Sequence, residues 1–421
     1  MPPRAKLEEL IDGPKNFRRA DVIRTFEKKG NDQDPWYIVV DNKVYDIKDF
    51  VSDHPGGAVI LTQIGKDSTD AFYNFHPNEV IEILANYYVG DIAQEDIITS
   101  KEGFAQELRK YKEIFKKKNY FKSSKLYYAQ KVIHNIIIWA TSVTILAKFG
   151  DNLFGVLLSA AIMGLFWQQC GWLSHDFLHH QVFDNRKYND LMGDFLGGIC
   201  QGFDPSWWKD KHNTHHAEPN VHGQDPDINT HPILTWSEHA LLDIFDPEMA
   251  EINAKLLPQW IVRFMIKYQT LSYFPILCVA RVSWCIQSIL FVLPNGQNGK
   301  PADARMPISL TEQLSLGIHY ICNMWFIIGF VITGRNVIAS NPELQFIVDW
   351  FCGGLNYQIE HHIFPTLPRH VFHKVQPIVQ TLCEKYEIPY HKTTFMEGTK
   401  EVFNRLGQVS AACRKLDRKL T

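Results

Sequence analysis

His175-Asp-Phe-Leu-His179-His180 is the first of three histidine clusters in this 421-residue chain. The second is His212-Asn-Thr-His215-His216, and the third is Gln358-Ile-Glu-His361-His362. Residues three and four apart lie on one face of a helix, so the imidazoles of a cluster can converge on one point. Imidazole suits iron, zinc, copper or nickel, and the eight histidines of the clusters exceed one coordination sphere. The clusters therefore predict two metal ions.

Composition excludes few classes of function. The net charge of −3 gives no reason to expect nucleic acid as a partner. The eight cysteines are scattered without a CxxC pair, and Met1 to Gly13 contains no apolar core of signal-peptide length. We therefore expect a protein on the reducing, cytosolic side rather than a secreted, disulfide-bonded one.

Residues 15–92 read as a small α+β domain. Two short strands, Trp36–Val40 and Lys43–Asp46, flank the polar turn Asp41-Asn42. His54 begins a His-Pro-Gly-Gly motif, and His76 follows twenty-two residues later among aromatic side chains. Two imidazoles on opposite sides of an apolar pocket suit a six-coordinate, electron-transferring haem.

This segment resembles cytochrome b5. By that resemblance, His54 and His76 are the axial ligands of haem b, and Gly56 with Gly57 lets the chain turn tightly beside the ring. Residues 93–131 follow as a lysine-rich linker or amphipathic helix, and residues 132–400 are expected to form a membrane-embedded domain.

Two apolar segments, 132–149 and 153–173, are each long enough to cross a bilayer, which takes about 20 residues. Gly150-Asp-Asn152 joins them as a tight turn, so the chain returns to its starting side, which the preceding lysines place in the cytoplasm. Leu191–Phe203 is too short to span, so clusters one and two lie on the same side. Trp207-Trp208 suits the headgroup level of the membrane.

Further along, 314–332 is predicted to span. Segment 273–293 is also apolar, but Arg281 lies near its middle. A charge at the bilayer centre costs about 3 kcal/mol on insertion scales, so an interfacial helix with Arg281 facing the headgroups is the preferred interpretation. The tail after Pro368 is predicted to be soluble and helical. Isolated histidines such as His319 are predicted to be structural.

The series HxxxH, HxxHH and QxxHH behind a cytochrome b5-like domain resembles the front-end fatty acid desaturases of the membrane di-iron class. The stretches around His212–Asn220 and Leu355–His362 look closest to fungal delta-6 desaturases. The resemblance implies a multidomain chain, with an α+β haem domain followed by an all-α membrane domain and a cytosolic helical cap. It implies that two irons are carried by His175, His179, His180, His212, His215, His216, His361 and His362, with Gln358 as a ligand or beside the ligands. Whether His179 or His180 pairs with His175 stays open.

The implied reaction removes two hydrogens from adjacent methylenes of a polyunsaturated acyl chain, on the carboxyl side of an existing double bond. The substrate would be a polyunsaturated fatty acyl lipid or an acyl-CoA, and O2 would be the oxidant. NADH would supply electrons through a separate cytochrome b5 reductase and then this chain's own haem. The resemblance also implies a multi-pass protein of the endoplasmic reticulum membrane, with haem domain and histidine clusters facing the cytosol.

The chain departs from the family between clusters two and three, where relatives have one more apolar span. If only 314–332 crosses there, His361 and His362 emerge on the wrong side of the membrane. Three explanations are open: segment 273–293 crosses despite Arg281, segment 314–332 is re-entrant, or the chain is a shortened, inactive product. The alternatives to a delta-6 desaturase are accordingly a membrane haem protein that only carries electrons, and a sphingoid-base desaturase or hydroxylase.

Overall fold

The computed structural model describes two compact units. Its described residues are 15–27, 34–97, 102–149, 153–230, 233–241, 257–293, 296–297, 305–306, 308–323, 336–338, 345, 349–350 and 352–420. The first unit lies within residues 1–119, with 297–307 and 363–365. The second lies within 120–296, 308–362 and 366–421.

The first unit contains a four-stranded sheet with the order β1-β4-β3-β2. Its strands are β1 (Lys15–Phe17), β2 (Tyr37–Val40), β3 (Lys43–Asp46) and β4 (Tyr88–Ile92). The predicted pair of strands around a polar turn is confirmed, since β2 and β3 pair in antiparallel register. Asp41 and Asn42 have φ angles of 50° and 61°, as a two-residue hairpin of the favoured hand requires.

Short helices cover this sheet: α1 (Arg19–Glu27), α2 (Thr69–Phe75), α3 (Ile81–Leu84) and α4 (Glu102–Lys117), with 3-10 turns at Lys48–Asp53 and Gly57–Gln63. Helix α4 lies in the predicted linker, yet it packs onto the haem-domain fold. Arg109 donates to Asp70 at 2.9 Å and lies over the Tyr73 ring, while Lys112 Nζ donates to the Tyr73 carbonyl oxygen. The first unit therefore extends well past residue 92.

The second unit begins with a helical hairpin, α5 (Lys125–Phe149) and α6 (Leu153–Leu178), at the two predicted spans. The Ser142 hydroxyl donates to the Ser159 carbonyl oxygen at 2.8 Å, and the Ser159 hydroxyl returns a bond of the same length to the Ser142 carbonyl. Small residues that exchange hydrogen bonds let two helices approach closely, as in membrane bundles. Residues 150–152, the predicted turn, lie outside the described residues.

The chain next forms α7 (Arg186–Gly193), a π-helix (Asp194–Gln201) and α8 (Pro205–Ala217). Gly202, with φ of 88°, separates the last two, and a Cβ there would lie 2.2 Å from the His319 ring. The Asp204 carboxylate accepts from Trp207 N at 2.6 Å and caps α8, and Pro205 occupies its first turn. Asp204 and Pro205 therefore set the start of α8, the helix that carries the second histidine cluster.

Three further helices are α9 (Gln259–Lys267), α10 (Gln269–Val292) and α11 (Leu310–Asn323). Within the described residues, α10 is the one helix that meets the length and composition expected of a membrane span. Large apolar side chains are exposed on α5, α6 and α10, among them Ile136, Leu157, Leu271 and Val279. Residues 324–332 of the predicted span 314–332 lie outside the described residues. Residues 330–335, where relatives are expected to have one more apolar span, also lie outside them.

Arg281 does not face outward, so this part of the sequence prediction is wrong. Its guanidinium lies 3.8 Å from the centre of the Trp167 ring on α6, and it donates to His319 Nε2 on α11 at 3.0 Å. His319 in turn donates from Nδ1 to the Ile199 carbonyl oxygen at 2.9 Å. A charge inside a helical bundle is tolerated when it pairs with polar or aromatic groups of neighbouring helices.

The C-terminal part is helical, as predicted. It contains α12 (Gln358–Ile363), α13 (Phe372–Lys385) and α14 (Phe395–Leu420), and a small parallel ribbon of β5 (Asn336–Ile338) and β6 (Lys392–Thr394). Helix α14 buries Leu406 and Val409 against residues of α9 and α10, such as Val262, Ile266 and Tyr273. Helix α14 therefore packs against the beginning of α10.

A buried ion pair ties α6 to the segment before α13. Arg369 Nε donates to the Asp176 carboxylate, and Arg369 Nη2 donates to the Trp172 carbonyl oxygen at 2.5 Å. Tyr128 adds a hydroxyl bond of 2.8 Å to the same carboxylate. Both charged side chains are almost fully buried, so removing one partner leaves the other without compensation.

We predict that Arg369→Met lowers the free energy of unfolding by about 3–5 kcal/mol, because the Asp176 charge stays buried. Thermal unfolding of the purified protein in detergent measures the change. Arg405→Met is the matched control, since Arg405 is 41% exposed and lies 3.7 Å from Glu238; it should cost less than about 1 kcal/mol. Equal melting temperatures for the two variants would show that the Asp176 pair is not needed for stability.

Candidate metal centre and haem pocket

The first unit places the His54 and His76 rings close to each other, with their planes inclined by 61°. Their ring centroids are 6.1 Å apart, and Phe50 and Phe72 pack beside them. An iron bound through both imidazoles, with bonds of about 2 Å, would separate the centroids by roughly 6 Å. The separation fits a haem iron between the two rings.

Both rings are oriented by backbone carbonyls. His54 Nδ1 donates to the Gly57 carbonyl oxygen at 3.1 Å, and His76 Nδ1 donates to the Phe72 carbonyl oxygen at 3.0 Å. These bonds hold the proton on Nδ1 and leave Nε2 as the metal ligand. Burial lowers the pKa of His54, although the bond to Gly57 opposes the change, so the ring is neutral as a ligand must be.

The Gly56-Gly57 pair is required beside His54. Gly57 has φ of 66°, and a Cβ on Gly56 would lie 2.7 Å from His54 Cε1. A side chain at Gly56 would therefore displace the His54 ring. The tight turn expected from the sequence thus requires glycine at this position.

In the second unit, seven of the eight cluster histidines meet. Five of them, His175, His179, His212, His216 and His361, offer ring nitrogens within 4.8 Å of one another. His215 and His362 join at the edge, with ring centroids 4.7 Å apart. Helix α6 supplies His175, and His179 follows directly after its last residue. Helix α8 supplies His212, His215 and His216, and α12 supplies His361 and His362, so each segment presents one face to the same point.

Three pairs of nitrogens lie at one characteristic distance. His175 Nε2 is 3.1 Å from His361 Nε2, His215 Nε2 is 3.1 Å from His362 Nε2, and His216 Nε2 is 3.1 Å from His212 Nε2. Two nitrogens bound to one metal at about 2.1 Å lie roughly 3 Å apart. Among the described residues, no hydrogen-bond partner reaches the buried His179 Nε2. The donor set fits metal ions.

Electrostatics keep these rings neutral. Burial and neighbouring imidazoles lower the pKa of His212, His216 and His361 well below the usual value. Burial and the nearby His215 lower the pKa of His362 to about 3. Neutral imidazole is the form that binds a metal, so no proton has to be displaced before binding.

His215 is the exception, because a carboxylate lies behind it. Burial lowers the pKa of His215, but the hydrogen bond to Asp225 and the charges of Asp227 and Asp225 outweigh burial and leave it raised. Asp225 is not among the site residues that the sequence predicted. A carboxylate ten residues after His215 was the available signal.

His180 does not join the cluster, which corrects its prediction as a metal ligand. Helix α6 ends at Leu178, and the left-handed φ of 56° at His180 turns its side chain away. His180 Nε2 donates to Asp190 at 2.9 Å, and Lys209 donates to the same carboxylate at 2.6 Å. The residue paired with His175 is His179, with ring centroids 4.5 Å apart. Gln358 is the first residue of α12, three residues before His361.

Trp207 and Trp208 both pack against other aromatic rings of the second unit, and their predicted position at the headgroup level stays a prediction. Trp207 is buried and contacts the Trp284 ring. Trp208 stacks on His212 with centroids 4.2 Å apart, and its ring also contacts His175 and His179. The spacing of four residues from Trp208 to His212 on one helix was the signal for this contact.

Comparison with known families gives two matches. Residues 152–299 and 330–394 match the family described as fatty acid desaturase. Residues 24–93 match the cytochrome b5-like heme/steroid binding domain. A cytochrome b5-like domain binds haem, and the desaturase family is membrane-bound and uses a di-iron centre. The metals that these two families use therefore match the two sets of histidines described above.

Similar individual proteins align with most of the chain. The chain is 34% identical to an acyl-lipid (9-3)-desaturase of Physcomitrium patens, over 89% of the chain and 76% of that protein. It is 33% identical to a delta(8)-fatty-acid desaturase of Euglena gracilis, over 85% of the chain and 91% of that protein. It is 28% identical to a delta(5) fatty acid desaturase of Caenorhabditis elegans, over 92% of the chain and 98% of that protein.

The different positions of His179 and His180 generate a prediction. His179→Ala should remove a buried ring nitrogen from the cluster and lower the non-haem iron bound per haem by about half or more, in line with the 10- to 100-fold affinity losses seen even for ligand supports. His180→Ala should keep wild-type iron, because its ring binds Asp190. Iron is measured by mass spectrometry and haem by absorbance. Iron loss in His180→Ala but not in His179→Ala would reverse the assignment.

Proposed function

We propose that this chain, which belongs to the fatty acid desaturase family and is a front-end desaturase fused to a cytochrome b5-like domain, introduces a cis double bond at the delta-6 position of polyunsaturated C18 acyl chains such as linoleate. The observation that carries the proposal is the gathering of buried, neutral imidazoles from all three clusters, in a chain that also holds a bis-histidine pocket. A hydrolase with one zinc would have no use for that second site.

The proposed ligands follow from the positions of the rings. Haem iron takes His54 and His76. The two irons take the seven histidines that meet in the second unit: His175, His179, His212, His215, His216, His361 and His362. Gln358 is proposed to act beside the ligands, because it starts the same helix as His361 and His362.

The reaction converts adjacent methylenes into a double bond. The C–H bonds broken are inert to any side-chain base, so the irons, when bound, supply the oxidising chemistry by reducing O2. O2 takes two electrons and two protons from the acyl chain and two of each from NADH and the medium, and ends as two waters. The chain's own residues keep the site buried and hold the imidazoles neutral and oriented.

The names of the similar proteins divide among (9-3), delta-8 and delta-5 activities, so membership of the family leaves the position open. Support for delta-6 comes from the stretches His212–Asn220 and Leu355–His362, which resemble fungal delta-6 desaturases.

We also propose a topology for the membrane domain. His215 and His362 lie at one metal centre, so the chain between clusters two and three must cross the membrane an even number of times. The haem domain and the histidine clusters are proposed to face the cytosol at the endoplasmic reticulum membrane.

The proposed partners follow from this chemistry. They are an acyl lipid or acyl-CoA, O2, membrane lipid and an NADH-dependent cytochrome b5 reductase that reduces the haem domain from the cytosol. A sphingoid base is the alternative substrate, and an electron carrier without desaturase activity is the alternative function.

Activity is tested in a yeast that lacks polyunsaturated fatty acids. Cells that express the chain and receive linoleic or alpha-linolenic acid should form the delta-6 product, identified by gas chromatography with mass spectrometry. Cells with an empty vector or with His361→Ala should form none, because His361 lies within the metal centre. Long-chain bases from the same cells are analysed for new double bonds or hydroxyl groups.

Each other result has a defined meaning. A double bond at delta-8 or delta-5 would overturn the position alone. A modified long-chain base without a new fatty acid would favour the sphingoid-base enzyme. No product, with full-length protein and a cytochrome b5-type spectrum in the membrane, would favour the electron carrier.

The proposed orientation is tested by N-glycosylation, which marks lumenal segments. An acceptor sequence with flexible flanks is inserted at 150–152, between α5 and α6, and in a separate protein before residue 15. We expect a mobility shift, reversed by endoglycosidase, for the first insertion and none for the second. Glycosylation before residue 15 would contradict the cytosolic position of the haem domain.

A further inference from the structure

Asp225 lies directly behind His215. His215 Nδ1 is 3.0 Å from both carboxylate oxygens of Asp225, while Nε2, on the other side of the ring, is 3.1 Å from His362 Nε2. Asp225 has no exposed surface. The carboxylate therefore accepts the Nδ1 proton and leaves Nε2 facing the metal centre.

The loop after α8 is built to hold this carboxylate. Asn220 N donates to one oxygen at 2.7 Å, and Asp227 N donates to the other at 2.8 Å. Asn220 adopts a left-handed φ of 62°, and Gly223 one of 77°, so the chain folds back around the side chain. Each oxygen has a fixed backbone donor, which sets the plane of the carboxylate and with it the orientation of the His215 ring.

A second acid near the centre is less suited to this role. Asp176 Oδ1 lies 3.4 Å from His175 Nδ1, and its carboxylate is ion-paired with Arg369 and bonded by Tyr128. Much of its charge is therefore neutralised by a cation. Asp225, in contrast, receives only backbone N–H groups besides His215 in the contacts of the described residues.

We propose that Asp225 is a positioning residue, which fixes His215 as the Nδ1–H tautomer and strengthens Nε2 as an iron ligand. This rests on the proposed iron site. An amide at position 225 can donate to Nδ1, which moves the ring proton to Nε2 and blocks the ligand atom; the same substitution at an aspartate that orients a histidine is known to favour the wrong tautomer. Asp225 acts through His215 and does not touch the metal.

The test compares Asp225→Asn with Asp190→Asn in the full-length protein. Asp190 is the matched control, because it is the same residue type and also binds a histidine, but that histidine is His180, whose ring lies outside the metal centre. The measurement is the chelator concentration that removes half of the non-haem iron, with haem absorbance and gel filtration reporting the fold. Asp225→Asn should lose iron at about 10- to 100-fold lower chelator, and Asp190→Asn at the wild-type concentration.

Mössbauer spectra of protein loaded with ⁵⁷Fe give a second measurement, which a merely structural role would not change. Asp225→Glu, which keeps the charge but shifts it by a methylene, should alter the quadrupole splitting of one iron, and Asp190→Glu should not. If Asp225→Asn does not fold, this pair decides. Wild-type iron retention in Asp225→Asn, or an unchanged Asp225→Glu spectrum, would overturn the proposal alone. Wild-type protein without non-haem iron would overturn the iron site as well.

Discussion

The second unit depends on the close approach of ring nitrogens inside a buried space. Two neutral imidazoles that point lone pairs at each other from 3.1 Å repel unless a proton or a cation lies between them. Burial removes the water that would otherwise solvate them, and it also disfavours protonation. Three helices hold this arrangement by their rigidity, and the buried pair of Asp176 with Arg369 locks one of them to the C-terminal segment. The energetic cost of the arrangement is offset when metal ions bind.

In both the haem pocket and the metal centre, a hydrogen-bond acceptor fixes the tautomer of a histidine, but the acceptor is neutral in the first and charged in the second. In the haem pocket, neutral backbone carbonyls of Gly57 and Phe72 accept the Nδ1 protons of the two rings. In the metal centre, the carboxylate of Asp225 accepts the Nδ1 proton of His215. Both acceptors fix the tautomer, but a charged acceptor also raises the basicity of the opposite nitrogen. A haem that exchanges electrons and an iron that works on O2 place different demands on their ligands.

The charge of Arg281 inside the helical bundle is stabilised by contacts with neighbouring helices. Arg281 stacks on Trp167 and donates to His319, and His319 passes a hydrogen bond to the Ile199 carbonyl oxygen. These contacts join α10, α6, α11 and the π-helix. The residue that, by sequence, argued against a membrane crossing is thus a connection between helices. Gly202 is part of the same arrangement, since any side chain there would collide with the His319 ring.

The sequence by itself determined the two domains, the hairpin at Asp41-Asn42, the helical hairpin that leads to the first cluster, the pairing of His54 with His76, and the residue types of the metal centre. These follow from local patterns, because spacing along a strand or helix sets which residues share a face. Only the tertiary structure separated His179 from His180 and turned Arg281 inward. The first depends on where a helix ends, and the second on distant segments that pack against α10. Spacing along the chain carries no information about either.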